Sequence, residues 1–178
     1  ITNPEAEEFN TLFRRLYWIA IEYTNRIESI MTNQEGVTHS ILLHENSIIR
    51  ISNYCKRIIV KERRTDAIFL YSILENLNSL VRSLSSLLKD LKENDEPVSK
   101  VFISKYCEAS EMLAKTSDLY YKFSLGEYSY IKKSLDTIKK QMQISKSEKN
   151  ERLSYWDHLD SINNCTKSML ESILVLNF

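Results

Sequence analysis

The chain has 178 residues with equal numbers of acidic and basic side chains, 24 of each, so its formal net charge is zero. This balance excludes a bulk electrostatic attraction to nucleic acid, and any basic site must come from local clustering. The length suits one domain, and a chain that begins at Ile1 is expected to be a fragment of a longer protein. Three widely spaced cysteines and the lack of a long apolar run predict a reduced, cytoplasmic protein.

Residues that interrupt regular structure are scarce, because the chain contains only Pro4, Gly36, Pro97 and Gly126. Glycine and proline supply most turns, so four such residues are too few for a strand-rich fold. The stretches between them all carry the helical periodicity of apolar residues. The sequence therefore predicts an all-α fold, organised as a single helical domain over 1–178.

Apolar residues recur at alternating spacings of four and three in three of these stretches, the pattern of a coiled-coil seam. A sustained seam predicts long helices that pack nearly antiparallel at shallow crossing angles. We expect these stripes to form helix-packing or dimer contacts. The leading candidates are Phe9, Phe13, Leu16, Tyr23, Ile27, Leu74, Leu77, Val81 and Leu84.

Two wholly polar segments, 61–66 and 145–152, interrupt the stripes. If helices continue through them, residues 38–94 form one helix of about 57 residues, about 85 Å long. If the segments are turns, the chain folds as a compact five- or six-helix bundle. Neither segment contains glycine or proline, which favours continuous, antiparallel, coiled-coil-like helices that reverse at 94–97.

Signatures of catalysis and of cofactor binding are lacking. The histidines, His39, His44 and His158, have neither the spacing of paired metal ligands on a helix nor a glutamate three residues earlier. Two glycines cannot build a phosphate-binding loop or a nucleophile elbow. We therefore expect a non-enzymatic protein with no catalytic residue, metal ligand or cofactor.

Positive charge is concentrated in two segments. The first contributes Arg57, Lys61, Arg63 and Arg64, and the second contributes Lys132, Lys133, Lys139 and Lys140. In a hairpin of two long helices that turns near 96–97, Lys61 lies level with Lys132, so the two clusters would meet on one shaft. This arrangement predicts a basic surface for an anionic, phosphoinositide-containing membrane, to which each cation contributes about 1 kcal/mol.

A second hypothesis is a monomeric helical-bundle interaction module of the tethering or SNARE-regulatory type, without direct lipid binding. The polar segments would then be loops, and a groove would accept a partner helix. Nucleic acid is not expected as a partner, because Tyr106, Tyr120 and Tyr128 fall on core stripes and not on an open stacking platform.

Residues 125–135, LGEYSYIKKSL, resemble a stretch in the last long helix of sorting-nexin BAR domains, where an acidic residue and a tyrosine precede an isoleucine and lysines. The predicted order of a shorter helix, a long helix, a turn and another long helix is also similar to these domains. Residues 141–143, QMQ, differ from the family, which commonly has an arginine followed by aromatic residues at this point. The resemblance implies a three-helix, crescent-shaped homo- or heterodimer that senses or imposes curvature on endosomal or other internal membranes during sorting.

Overall fold

The computed structural model describes residues 4–33, 39–93, 97–147 and 152–178. These residues form six α-helices and short connections, with no β-strand among them. The helices are α1 (Pro4–Asn33), α2 (His39–Glu62), α3 (Ala67–Lys92), α4 (Lys100–Tyr121), α5 (Leu125–Ser147) and α6 (Leu153–Leu176). The prediction of an all-α fold is confirmed.

Consecutive helices run in alternating directions and form two three-helix units. The first unit consists of α1, α2 and α3, which all pack against one another, and the second consists of α4, α5 and α6. The units join where α1 packs against α4 and where α3 packs against α6. Both junctions are antiparallel. Between α1 and α4, Phe13 contacts Tyr120 while the Thr24 carbonyl accepts from Tyr106. Between α3 and α6, Ser72 pairs with Ser172 while Ser83 pairs with Ser161.

The centre of the bundle consists of α1, α3, α4 and α6, while α2 and α5 flank it at opposite edges, α2 against α1 and α3 and α5 against α4 and α6. Apolar side chains fill this centre, and some of its hydroxyls are paired across helices, as in the Tyr23–Ser85 contact of 3.0 Å. The nine stripe residues that were candidates for packing or dimer contacts are all fully buried within the single chain. They therefore pack helices of one chain together and present no surface to a second copy.

The two units bury the same pattern of positions. Each helix of the first unit (α1, α2, α3) aligns with its counterpart in the second unit (α4, α5, α6) at a constant offset in residue number. Corresponding buried positions are Phe9 and Phe102, Phe13 and Tyr106, Leu16 and Ala109, Ile48 and Ile131, Cys55 and Ile138, Leu74 and Leu159, Leu77 and Ile162, and Asn78 and Asn163. The bundle is thus built from two three-helix units with similar burial patterns.

The polar segment 61–66 is a turn, so the expectation of a continuous helix through it is wrong. Helix α2 ends at Glu62, and Arg63 adopts the left-handed conformation with φ of 50°. The Arg63 amide donates to the Val60 carbonyl, and the Arg64 amide donates to the Ile59 carbonyl. This pair of bonds is a Schellman motif, which satisfies carbonyls at a helix end and usually requires glycine. Arg63 occupies the position usually taken by glycine, so no glycine in the sequence marks this turn.

The chain also reverses between α5 and α6, so a continuous helix through 145–152 is likewise wrong. Lys139 Nζ donates to Asn164 Oδ1 at 2.9 Å, and Lys146 Nζ donates to Asp157 Oδ1 at 2.8 Å. Contacts of this kind require two antiparallel helices side by side. Residues 148–151 of the predicted polar segment lie outside the described residues.

Candidate ligand-binding surface

The outer surface of α2 and of the turn that follows it is basic. Its exposed side chains are Asn46, Arg50, Asn53, Tyr54, Arg57, Val60, Lys61, Arg63, Thr65 and Ile68. Four of them are cations and none is a carboxylate. We call Arg50, Arg57, Lys61 and Arg63 the α2 basic face. It lies on one edge of the bundle, because α2 is a flanking helix.

Two other cations of this region, Arg64 and Lys56, are paired within the fold and are not part of the α2 basic face. Arg64 donates from Nε and Nη2 to both carboxylate oxygens of Asp66, and its guanidinium lies 4.9 Å from the centre of the Phe9 ring. The Arg64 guanidinium thereby lowers the pKa of the Asp66 carboxyl. Lys56 is half-buried and pairs with Glu75 of α3. Arg64, a predicted lipid-binding residue, therefore stabilises the turn through these contacts.

The second predicted cluster lies on α5, where Lys132, Lys133 and Lys140 are exposed. We call these three lysines the α5 basic face. Lys139 points toward the neighbouring helix, where it donates to Asn164 and lies 3.9 Å from Asp160. Like Arg64, Lys139 thus has partners within the fold.

The two basic faces do not meet, so the expected alignment of Lys61 with Lys132 is wrong. That alignment assumed one hairpin of two long helices, whereas α2 and α5 flank opposite edges of the bundle and share no contact within the described residues. The fold therefore offers two separate basic surfaces and not one continuous shaft.

A groove between α1 and α2 borders the α2 basic face. Its volume is about 540 Å³, and its lining residues are Leu12, Arg15, Ser47, Arg50, Ile51, Asn53, Tyr54 and Arg57. Sequence reasoning missed Arg15 and did not select Arg50 as a site residue, because it grouped cations by their proximity along the chain. Arg15 is brought to the groove only by the packing of α1 on α2.

Within the described ranges, no group of three or more His, Cys, Asp or Glu side chains could hold a metal ion. None of the helices in those ranges is both long and apolar enough to cross a bilayer. Comparison with known proteins finds no matching family model, no similar curated protein and no similar solved structure.

Proposed function

We propose that this chain is a non-catalytic helical-bundle interaction module that binds an acidic segment of a partner protein through the α2 basic face. The observation that carries the proposal is the row of four exposed cations without an exposed carboxylate on one flanking helix. The net charge of the chain is zero, so this row is a local excess of positive charge. Such an excess steers an acidic partner and fixes its orientation.

The shape of the region supports a protein partner. An exposed helix beside a groove is the arrangement that accepts another helix or an extended segment. Tyr54, which is 44% exposed, lies among the cations and adds the aromatic contact area common at protein interfaces. The two basic faces lie on opposite edges of the bundle, so one flat bilayer would not contact both.

A second candidate function is peripheral binding to anionic membranes, as in the sorting-nexin resemblance. It is favoured by Val60 and Ile68, which are 64% and 71% exposed beside Lys61 and Arg63. Exposed apolar side chains next to cations are typical of surfaces that lie in a membrane interface. A BAR-type dimer would in addition need one long helix through 61–66, which α2 and α3 do not form.

Charge reversal tests the proposal. The triple variant Arg57→Glu, Lys61→Glu and Arg63→Glu should weaken binding of a synthetic acidic amphipathic helix by about tenfold or more, because attraction becomes repulsion. Fluorescence anisotropy of the labelled peptide measures the affinity at low and at physiological ionic strength. Circular dichroism checks that the variant is folded.

The α5 basic face provides a matched control, since Lys132→Glu, Lys133→Glu and Lys140→Glu change the net charge by the same amount. This variant should bind the peptide with nearly the affinity of the unaltered chain. Equal losses in both variants would mean attraction by net charge alone and would contradict the proposal. Loss of binding to phosphatidylserine vesicles in the α2 variant, with peptide binding unchanged, would establish the membrane candidate instead.

A further inference from the structure

Two arginines, one from each helix, line the α1–α2 groove. Tyr54 of α2 donates to Glu8 of α1 at 3.0 Å, and His44 of α2 lies 3.8 Å from Glu22 of α1. Arg15 is midway between Glu8 and Glu22 on α1, and Arg50 is near the middle of the α2 segment from His44 to Tyr54. The antiparallel packing therefore places Arg15 and Arg50 at the same level, and both line the groove.

These positive charges have no counterion among the residues that the structure describes. Arg15, Arg50 and Arg57 form no hydrogen bond or ion pair with any side chain in the described part of the chain. The residues three and four positions away from each of them on their helices include no carboxylate. Two guanidinium groups that line one groove repel each other, and folded proteins keep such local conflicts mainly at functional sites.

The second unit contains an equivalent groove that serves as an internal comparison. It lies between α4 and α5, and its lining includes Lys105, Glu108, Glu111, Tyr130 and Lys133. Glu108 occupies the position that corresponds to Arg15, and Lys133 occupies the position that corresponds to Arg50. Glu108 is moreover bound to Lys105 at 2.6 Å. The α4–α5 groove thus balances its charges where the α1–α2 groove leaves them unbalanced.

We propose that the α1–α2 groove binds a phosphomonoester group carried by the partner segment, with Arg15 and Arg50 as its clamp. Guanidinium groups donate pairs of parallel hydrogen bonds to phosphate oxygens, and two of them match the double negative charge of a phosphomonoester. Ser47 and Asn53 line the same groove and add neutral donors. The inference rests on the proposed function, and it adds that the partner is recognised in its phosphorylated form.

The test compares three short peptides of identical flanking sequence that contain phosphoserine, glutamate or serine at the central position. Isothermal titration calorimetry should give the tightest binding for the phosphoserine peptide. Arg15→Gln and Arg50→Gln should each weaken that binding by about tenfold or more, since each removes a charge-assisted contact. Lys133→Gln, the equivalent change in the α4–α5 groove, should alter it by less than about twofold.

The conservative variant Arg50→Lys separates paired recognition from charge alone. It keeps the positive charge but loses the planar fork, so it should recover only part of the affinity that Arg50→Gln loses. If Arg50→Lys restored the full affinity, the proposal that Arg15 and Arg50 clamp the phosphate would be wrong. Equal affinity for the phosphoserine and glutamate peptides, or unchanged binding in Arg15→Gln, would overturn the phosphate site.

A separate measurement distinguishes the source of the phosphate. Vesicles of phosphatidylcholine with phosphatidylinositol 4-phosphate present the same group on a lipid. Binding of these vesicles without binding of the phosphoserine peptide would overturn the assignment to a protein partner. If the phosphoserine peptide fails but the acidic helix still binds through Arg57, Lys61 and Arg63, the proposed function stands and the phosphate clamp falls.

Discussion

Arg63 ends α2 with a backbone conformation that side chains other than glycine rarely adopt, at φ of 50°. The left-handed region costs an ordinary residue about 1 kcal/mol, because its Cβ approaches the carbonyl oxygen. The two amide bonds of the Schellman motif and the Arg64–Asp66 pair hold the turn against that cost.

We predict that Arg63→Gly stabilises the protein by about 0.5–1 kcal/mol, since glycine adopts this conformation without strain. Urea denaturation followed by circular dichroism measures the change in the free energy of unfolding. Arg63→Ala is the control, because it removes the same charge and keeps the strain. A glycine variant that is no more stable than the alanine variant would show that the turn is not strained.

The thiol of Cys55 is expected to be unreactive while the protein is folded. Cys55 is fully buried, and burial raises the pKa of its thiol to about 12. Because the thiolate is the reactive form, Cys55 should resist alkylation by iodoacetamide at pH 8 until the protein unfolds. Cys107 is partly exposed, with a thiol pKa of about 11, and should be modified before Cys55. Mass spectrometry of timed samples measures both rates, and native-state modification of Cys55 at the rate of the unfolded chain would contradict its burial.

At the scale of the elements, the connection between α2 and α3 depends on Asp66. Its pKa is lowered by hydrogen bonds from the Arg64 guanidinium, so the folded state favours the ionised carboxyl. The resulting stability is fully present above the ordinary Asp pKa of about 3.9 and is lost as the pH falls through the lower pKa of the folded state.

We therefore predict that Asp66→Asn destabilises the protein at neutral pH and that the difference from the unaltered chain shrinks below about pH 4. Thermal unfolding across a pH series measures this difference. A constant difference at every pH would mean that the asparagine disturbs the turn for reasons other than charge.

The helices themselves were predictable wherever a stripe continued without interruption. The apolar stripe from Leu70 to Leu91 lies within α3, and that from Phe102 to Phe123 lies within α4 except for Phe123. The turn at 61–66 was not predictable, because its left-handed residue is an arginine and its stability comes from Arg64, Asp66 and Phe9, which meet only in three dimensions. Helix length was consequently overestimated.

At the scale of the whole molecule, the nine stripe residues are buried, but the stripes did not predict which helices they pack against. Six amphipathic helices can cover one another in several ways, and periodicity alone does not choose among them. The choice depends on particular matches across the bundle, such as Tyr106 with the Thr24 carbonyl and Tyr23 with Ser85. For the same reason, the sequence predicted Arg57, Lys61 and Arg63 as a basic surface but not the groove that Arg15 forms with Arg50.

The compact pairing of two three-helix units is the basis of the proposed interaction module, and small-angle X-ray scattering tests this pairing most directly. A compact chain of 178 residues should have a radius of gyration of about 16 Å. The longest helix, α1, has 30 residues and is about 45 Å long, which sets the scale of the maximum dimension. Values near these would support the bundle. A much larger radius of gyration, with a maximum dimension of about 85 Å or more, would indicate continuous helices and contradict it.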